Sequence, residues 1–318
     1  MFKFIQSKLF LQIVILLTLV TLAVYQLVTS TRFLSPADSH FLWNILLPLQ
    51  NHYVAMGIVV GVGLLLQMTL ADLYFFRGGF GETHHLMGLV FFLLISVCGS
   101  FTANFSPIWM TNLILAVIIS INFDYDSGNV KNKDLFSGIL IGIGSLYYLP
   151  MIFLSFFVVS SLIVNKYSKY KDITAFFIGL LLVCLYVVCY YFLTDQWSVM
   201  CGLVAGKGFY DTFASTPVFT WREIVLLAAT VVSLLYALFV VKSYYDNKQI
   251  LLRKRLLTIH LMLLTMLLIM IFSPFDIHQS MGFLLIPMTL YFTMLSQLKS
   301  HRLVNDFMIL VFLVALCL

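Results

Sequence analysis

Charge is scarce in this chain. Asp, Glu, Lys and Arg make up 10% of its 318 residues, against about 25% in a soluble globular domain. So little charge excludes a water-soluble fold of this length, and it excludes disorder for the same reason. Cysteine is also sparse: Cys98, Cys184, Cys189, Cys201 and Cys317 form no CxxC pair. Neither a disulfide framework nor a zinc site is indicated. Walker, GxGxxG, HExxH and GxSxG motifs are absent, which removes the usual sequence signals of nucleotide, metalloprotease and hydrolase chemistry. The reading assigns no metal and no cofactor.

Apolar residues take the place of charge. They account for 62% of the chain, and aromatics for 16%; the mean hydropathy is +1.03. A membrane span needs about 20 apolar residues. Segments 9–30, 51–71, 84–102, 107–123, 135–149, 150–165, 172–194, 223–242, 256–273 and 278–297 qualify or nearly so, and 304–318 is an apolar tail. The fold class is therefore all-α, a polytopic transmembrane bundle of about 10–11 membrane segments. It is read as one domain over 1–318, with no soluble domain. After Lys3 and Lys8 no small-residue cleavage signal follows a short core, so 9–30 reads as an uncleaved first span.

The stretch 135–165 carries no charge and is too long for one span. Pro150 lies at its centre, after Gly138, Gly142, Gly144 and Ser145. A proline there ends or kinks a helix. The sequence predicts two short helices that meet near Pro150 and return to the side they entered from. With the N-terminus in the cytoplasm, this hairpin puts 15 of the 18 Lys and Arg residues inside, leaving Arg32, Lys207 and Arg222 outside. That is a strong positive-inside bias. It also explains the net charge of +5 without nucleic acid as a partner. A single span over 135–165 would turn Arg253, Lys254 and Arg255 outward.

The outer face, with loops at about 31–50, 102–107, 195–222 and 273–278, then holds five carboxylates: Asp38, Asp195, Asp211, Glu223 and Asp276. Chemistry on exported or lipid-linked substrates would draw its acid or base from these, or from His40 and His278. Asp38 and His40 lie two residues apart, ahead of the apolar-aromatic run Phe41–Leu47. Asp38 equally suits the N-cap of an interfacial helix there. Lys207 and Arg222 suit either a lipid phosphate or the headgroup layer. Asp276, His278 and Gln279 read as a cavity-facing cluster or as the turn of a helical hairpin. Glycines and histidines at 78–85, and Asp124, Asp126, Asn129 and Asp134, read as connectors: adjacent histidines diverge and the acidic run lacks the EF-hand spacing. His260 reads as a satisfied polar residue near a span end, and Asp306 as solvated.

The run 134–163, "DLFSGILIGIGSLYYLPMIFLSFFVVSSLI", followed by a basic connector from Lys166 to Lys171 and another span, resembles the central module of the C-type glycosyltransferase fold. Gly138, Gly142 and Pro150 take the places of that fold's glycine pattern and its following proline. The chain is similar, over about residues 50–195, to an uncharacterised family of polytopic inner-membrane proteins of Bacteroidota, including a proline in a late span, here Pro287. The first resemblance implies transfer from a polyprenyl-phosphate-linked sugar at the outer face. Asp38, with His40, would be catalytic, and Lys207, Arg222, Asp211, Asp276 and His278 would bind substrate. The chain departs from that fold in its second outer loop, 102–107, which has no carboxylate. Two alternatives stand beside this reading: a non-catalytic membrane subunit of an envelope assembly or export complex, and a transporter or flippase. The partners expected are membrane lipid, a lipid-linked sugar or a membrane protein complex, and the place expected is the inner membrane.

Overall fold

The computed structural model describes residues 9–30, 32–33, 53–77, 86–99, 104–123, 133–165, 170–198, 221–245, 249–273, 277–298 and 302–317. They are almost entirely helical. The first half holds α1 (Leu9–Ser30), β1 (Arg32–Phe33), α2 (Tyr53–Arg77), α3 (Leu86–Cys98), β2 (Asn104–Phe105) and α4 (Pro107–Phe123). Next come α5 (Lys133–Tyr147), a 3-10 turn (Leu149–Phe153), α6 (Leu154–Asn165) and α7 (Tyr170–Leu193). The last part holds α8 (Trp221–Tyr245), α9 (Ile250–Ile271), α10 (Ile277–Ser280), a second 3-10 turn (Met281–Leu284), α11 (Leu285–Gln297) and α12 (Arg302–Cys317).

Among the described residues, four stretches are long and apolar enough to cross a membrane: Ala55–Leu73, Tyr170–Leu193, Trp221–Tyr244 and Ile250–Ile271. Six more apolar helices are shorter, at 10–17 residues. The all-α membrane bundle therefore stands, while the segments differ in length more than the hydropathy pattern predicts. The shortening has local causes. Proline starts α4 at Pro107, where a missing N–H costs nothing. Pro150 and Pro287 interrupt two other runs.

The 135–165 stretch is two short helices. α5 has 15 residues, about 22 Å, and Tyr148 leaves the helix in an extended conformation (φ −151°, ψ 106°). Pro150 then sits in the first turn of the 3-10 segment, where its fixed φ fits. The direction of α5 shows that the chain reverses. Gly138 lies against Phe176 and Leu180 of α7, and Gly142 against Val183, so positions rise together and α5 and α7 run parallel. α6, lying between them in the chain, runs back. The 3-10 turn ahead of it stacks on the residue that caps α9, with the Phe153 and Phe272 rings 5.0 Å apart.

Backbone contact joins α5 to α7. A Cβ on Gly138 would collide with the Phe176 carbonyl, and one on Gly179 with the Leu135 carbonyl. Helices in lipid lack a hydrophobic drive toward each other, so close approach over small residues supplies the attraction. The rest of α7 is open: Phe177, Leu181 and Leu185 are exposed, as suits a lipid-facing surface.

α11 is the axis of the bundle. The whole run from Ser280 to Leu295 is buried, and a helix apolar all round belongs inside. Phe292 meets Phe91 of α3 and Phe312 of α12 edge-on. Thr289 and Thr293 donate to carbonyls one turn back, which satisfies their hydroxyls without a partner helix. The tail is a packed helix: Asn305 of α12 donates to the Leu295 carbonyl and accepts from Tyr236 of α8. At the end of the bundle where α1 finishes, β1 and β2 pair in parallel, Arg32 with Asn104 and Phe33 with Phe105. Gln26 donates to the Val97 carbonyl just below, tying α1 to α3.

Candidate functional site

Asp38, His40, Lys207, Asp211 and Asp276 lie outside the described residues. His278 belongs to α10, and its side chain is likewise outside them. Arg222 is the second residue of α8 and is exposed, beside an exposed Trp221 and ahead of Glu223 in the same turn. That position starts a helix rather than ending a loop, and Glu223 there complements the helix dipole. Of the proposed catalytic and substrate-binding residues, Arg222 alone has a described side chain. Asp195 also has a local role. It takes a left-handed conformation (φ 52°) after α7, while Gln196 N–H donates to the Tyr191 carbonyl. Aspartate tolerates that conformation and closes the helix.

His260 is satisfied in the way the sequence predicts. Its Nδ1 lies 2.7 Å from the Leu256 carbonyl, which makes that nitrogen the donor, and its ring meets Tyr291 edge-on at 5.7 Å. Asp306 is half-buried on α12 and engaged. No group of three or more His, Cys, Asp or Glu side chains comes together among the described residues.

What the structure does assemble is a buried polar junction where α2, α4 and the two 3-10 turns meet. It begins with Gly63 of α2, which leaves the space that the Trp109 indole of α4 fills. One turn on, Gln67 donates from Nε2 to the Trp109 carbonyl at 3.0 Å. Asn112 follows Trp109 by three residues, on the same face of α4. Its Nδ2 donates to the Gly282 carbonyl at 2.7 Å, across to the second 3-10 turn. The next residue, Phe283, stacks on Tyr148 at 6.0 Å, with an interplanar angle of 15°. The two helix interruptions, one before Pro150 and one before Pro287, therefore touch each other.

The junction is closed. Gln67 is 1% exposed and Asn112 is 3% exposed. Both amides are oriented by backbone acceptors, because a flipped amide would set oxygen against oxygen. Gln67 Oε1 and Asn112 Oδ1 then face the interior as acceptors with no hydrogen-bond partner among the described residues. Buried polar atoms are rarely left so.

Sequence reasoning missed this junction because it searched for charge. The available signal was an amide in the interior of each of two apolar spans, Gln67 in 51–71 and Asn112 in 107–123, where the other amides, Asn51 and Asn122, stand at the span ends. A third residue was missed by a boundary. α2 runs on to Arg77, so Asp72 is inside a helix rather than past its end, next to Gly88 of α3.

No family model, no curated protein and no solved structure matches the chain.

Proposed function

We propose that the chain is a multi-pass inner-membrane protein of envelope biogenesis, with its N-terminus in the cytoplasm, that engages a polyprenyl-phosphate-linked sugar at its outer face. One observation carries this reading: the chain reverses between Tyr147 and Leu154, which gives the paired short helices that the resemblance to C-type glycosyltransferases implies. Their tip packs at the end of α9 and on the Met281–Leu284 turn, at the end of the bundle that the distribution of Lys and Arg assigns to the outside. In this reading Asp38 takes a proton from the acceptor hydroxyl, with His40 beside it in sequence. Lys207 and Arg222 hold the lipid phosphate as charge-assisted donors. Asp211, Asp276 and His278 bind the sugar.

A transporter or flippase is the second reading, and the same junction favours it. Carriers form substrate and ion sites where interrupted helices meet, and the two 3-10 turns meet here. Lipid-linked glycan pools in a deletion strain and in an Asp38→Asn strain separate the readings. The enzyme reading expects both strains to accumulate the same lipid-linked precursor on the outer leaflet, with Asp38→Asn protein made at the normal level. A flippase leaves the precursor on the inner leaflet. A deletion phenotype that Asp38→Asn does not share points to a non-catalytic subunit of a membrane complex.

A further inference from the structure

We infer that the seam between α8 and α9, at the end of the bundle where Lys242 and Arg253 stand, binds a lipid with a phosphomonoester headgroup, of the phosphatidic acid class. The inference stands apart from the sugar-transfer reading. None of the residues assigned to that reaction lies here, and the charge distribution puts this end on the cytoplasmic side.

The argument begins with a cation. Lys242 is exposed in the last turn of α8 and makes no hydrogen bond or ion pair among the described residues. Its charge acts on the ring of His260 in α9. The described side chains of α9 and α11 include no carboxylate, and that of α8, Glu223, stands in the first turn at the other end of the helix. Asp306 of α12 is half-buried and engaged, and Asp246, in the connector after α8, lies outside the described residues. Ionisable groups in membrane helices pair with an opposite charge. A lipid phosphate supplies that charge where basic side chains gather between helices at the cytoplasmic face.

His260 selects the kind of phosphate. Its Nδ1 donates to the Leu256 carbonyl at 2.7 Å, so in the neutral ring Nε2 is a bare acceptor. Nε2 forms no hydrogen bond among the described residues, and the ring is half-buried. Behind it the fully buried Tyr291 ring meets it edge-on at 5.7 Å. A cation beside a neutral acceptor suits a ligand that has both an oxyanion and a proton to share. A phosphomonoester has both on one phosphorus, since its second ionisation falls at about pH 6. A phosphodiester has the oxyanion alone.

The rest of the face makes the ligand a lipid. Arg253, Leu257, His260 and Leu264 recur at three- and four-residue spacing, so they share one face of α9, and Ile271 continues it seven residues on. Arg253, Leu257, Leu264 and Ile271 are exposed. The face is basic at its cytoplasmic end and apolar beyond His260, in the order of a headgroup followed by an acyl chain.

The test is thermal unfolding of the purified full chain in detergent micelles with a phosphatidylcholine background, titrated with phosphatidic acid, phosphatidylglycerol or glycerol 3-phosphate. The inference expects a saturable rise in Tm with phosphatidic acid, about 3 °C at tenfold excess over Kd. Phosphatidylglycerol, a diester, should need a concentration about two- to tenfold higher, and glycerol 3-phosphate should do nothing. Lys242→Gln should weaken both lipids, phosphatidic acid at least tenfold. His260→Leu should remove the preference for the monoester, whatever it does to Tm itself. Lys171→Gln, at an exposed lysine in the first turn of α7, should change neither response. Should His260→Leu fail to fold, the wild-type preference and the contrast between Lys242→Gln and Lys171→Gln decide. A wild-type Tm indifferent to phosphatidic acid, or equally sensitive to both lipids, overturns the inference. So does a preference that His260→Leu retains, or an equal loss in Lys171→Gln and Lys242→Gln, which marks diffuse surface charge. A response to glycerol 3-phosphate equal to that with phosphatidic acid makes the ligand a soluble phosphate and overturns the lipid assignment.

Discussion

Asn305 joins three helices with one side chain. It is 1% exposed, accepts from Tyr236 Oη at 2.7 Å and donates to the Leu295 carbonyl at 3.1 Å. Hydrogen bonds between membrane helices contribute about 0.6 kcal/mol on average and at most about 1.7 kcal/mol. Tyr236→Phe should therefore cost within that range. Asn305→Leu should cost more, since it strands the tyrosine hydroxyl and also takes a donor from the Leu295 carbonyl, which keeps the Leu298 N–H. In a double-mutant cycle read by thermal unfolding, Tyr236→Phe should recover part of the loss once Asn305 is leucine, because it removes the stranded hydroxyl. Little of this was legible in the sequence. Asn112 finds its acceptor 170 residues away and Gln67 finds its own 42 residues away, and no local pattern encodes such distances. His260 was legible because its partner is the carbonyl one turn back.

Glycine decides how the elements pack. Gly138 and Gly179 put the backbones of α5 and α7 in contact and Gly142 makes room for the Val183 side chain, while Gly57 on α2 has nothing within 4 Å of the place a Cβ would take. The same substitution should therefore act in opposite directions. Gly138→Ala and Gly179→Ala each drive a methyl group into a backbone carbonyl and should lower stability by about 1–3 kcal/mol. Gly57→Ala should raise it by about 0.5–1 kcal/mol through helix propensity alone. Comparing the melting temperatures of the three variants checks this. The hairpin itself was legible, since Pro150 after a glycine-rich run has few other readings in an uncharged stretch of that length. The second interruption was not. Pro287 sits inside an apolar run that reads as one helix over 278–297, and the 3-10 turn appears only where Asn112 and Tyr148 pack on it. The length of α2 was misjudged for a related reason. Asp72 and Arg77 look like the end of a span by hydropathy, yet the helix continues through both.

At the scale of the molecule, a buried axial helix of 13 residues is wrapped by others, most of them longer, and the α5–α6 hairpin closes one side. This arrangement fixes relative directions: α1 and α3 run together, as Gln26 and Val97 show, and α5 and α7 run together. Relative directions combine with the charge bias to give the account its central claim, that both ends of the 135–165 segment face the cytoplasm. Substituted-cysteine labelling tests it most directly. In right-side-out spheroplasts, with the five native cysteines replaced by serine, Lys131→Cys and Ser168→Cys flank the hairpin and Thr102→Cys marks the outer face. The account predicts that a membrane-impermeant maleimide labels Thr102→Cys at once, and labels Lys131→Cys and Ser168→Cys only after the membrane is opened. Labelling of one flank but not the other in intact spheroplasts would make 135–165 a single crossing and contradict the account.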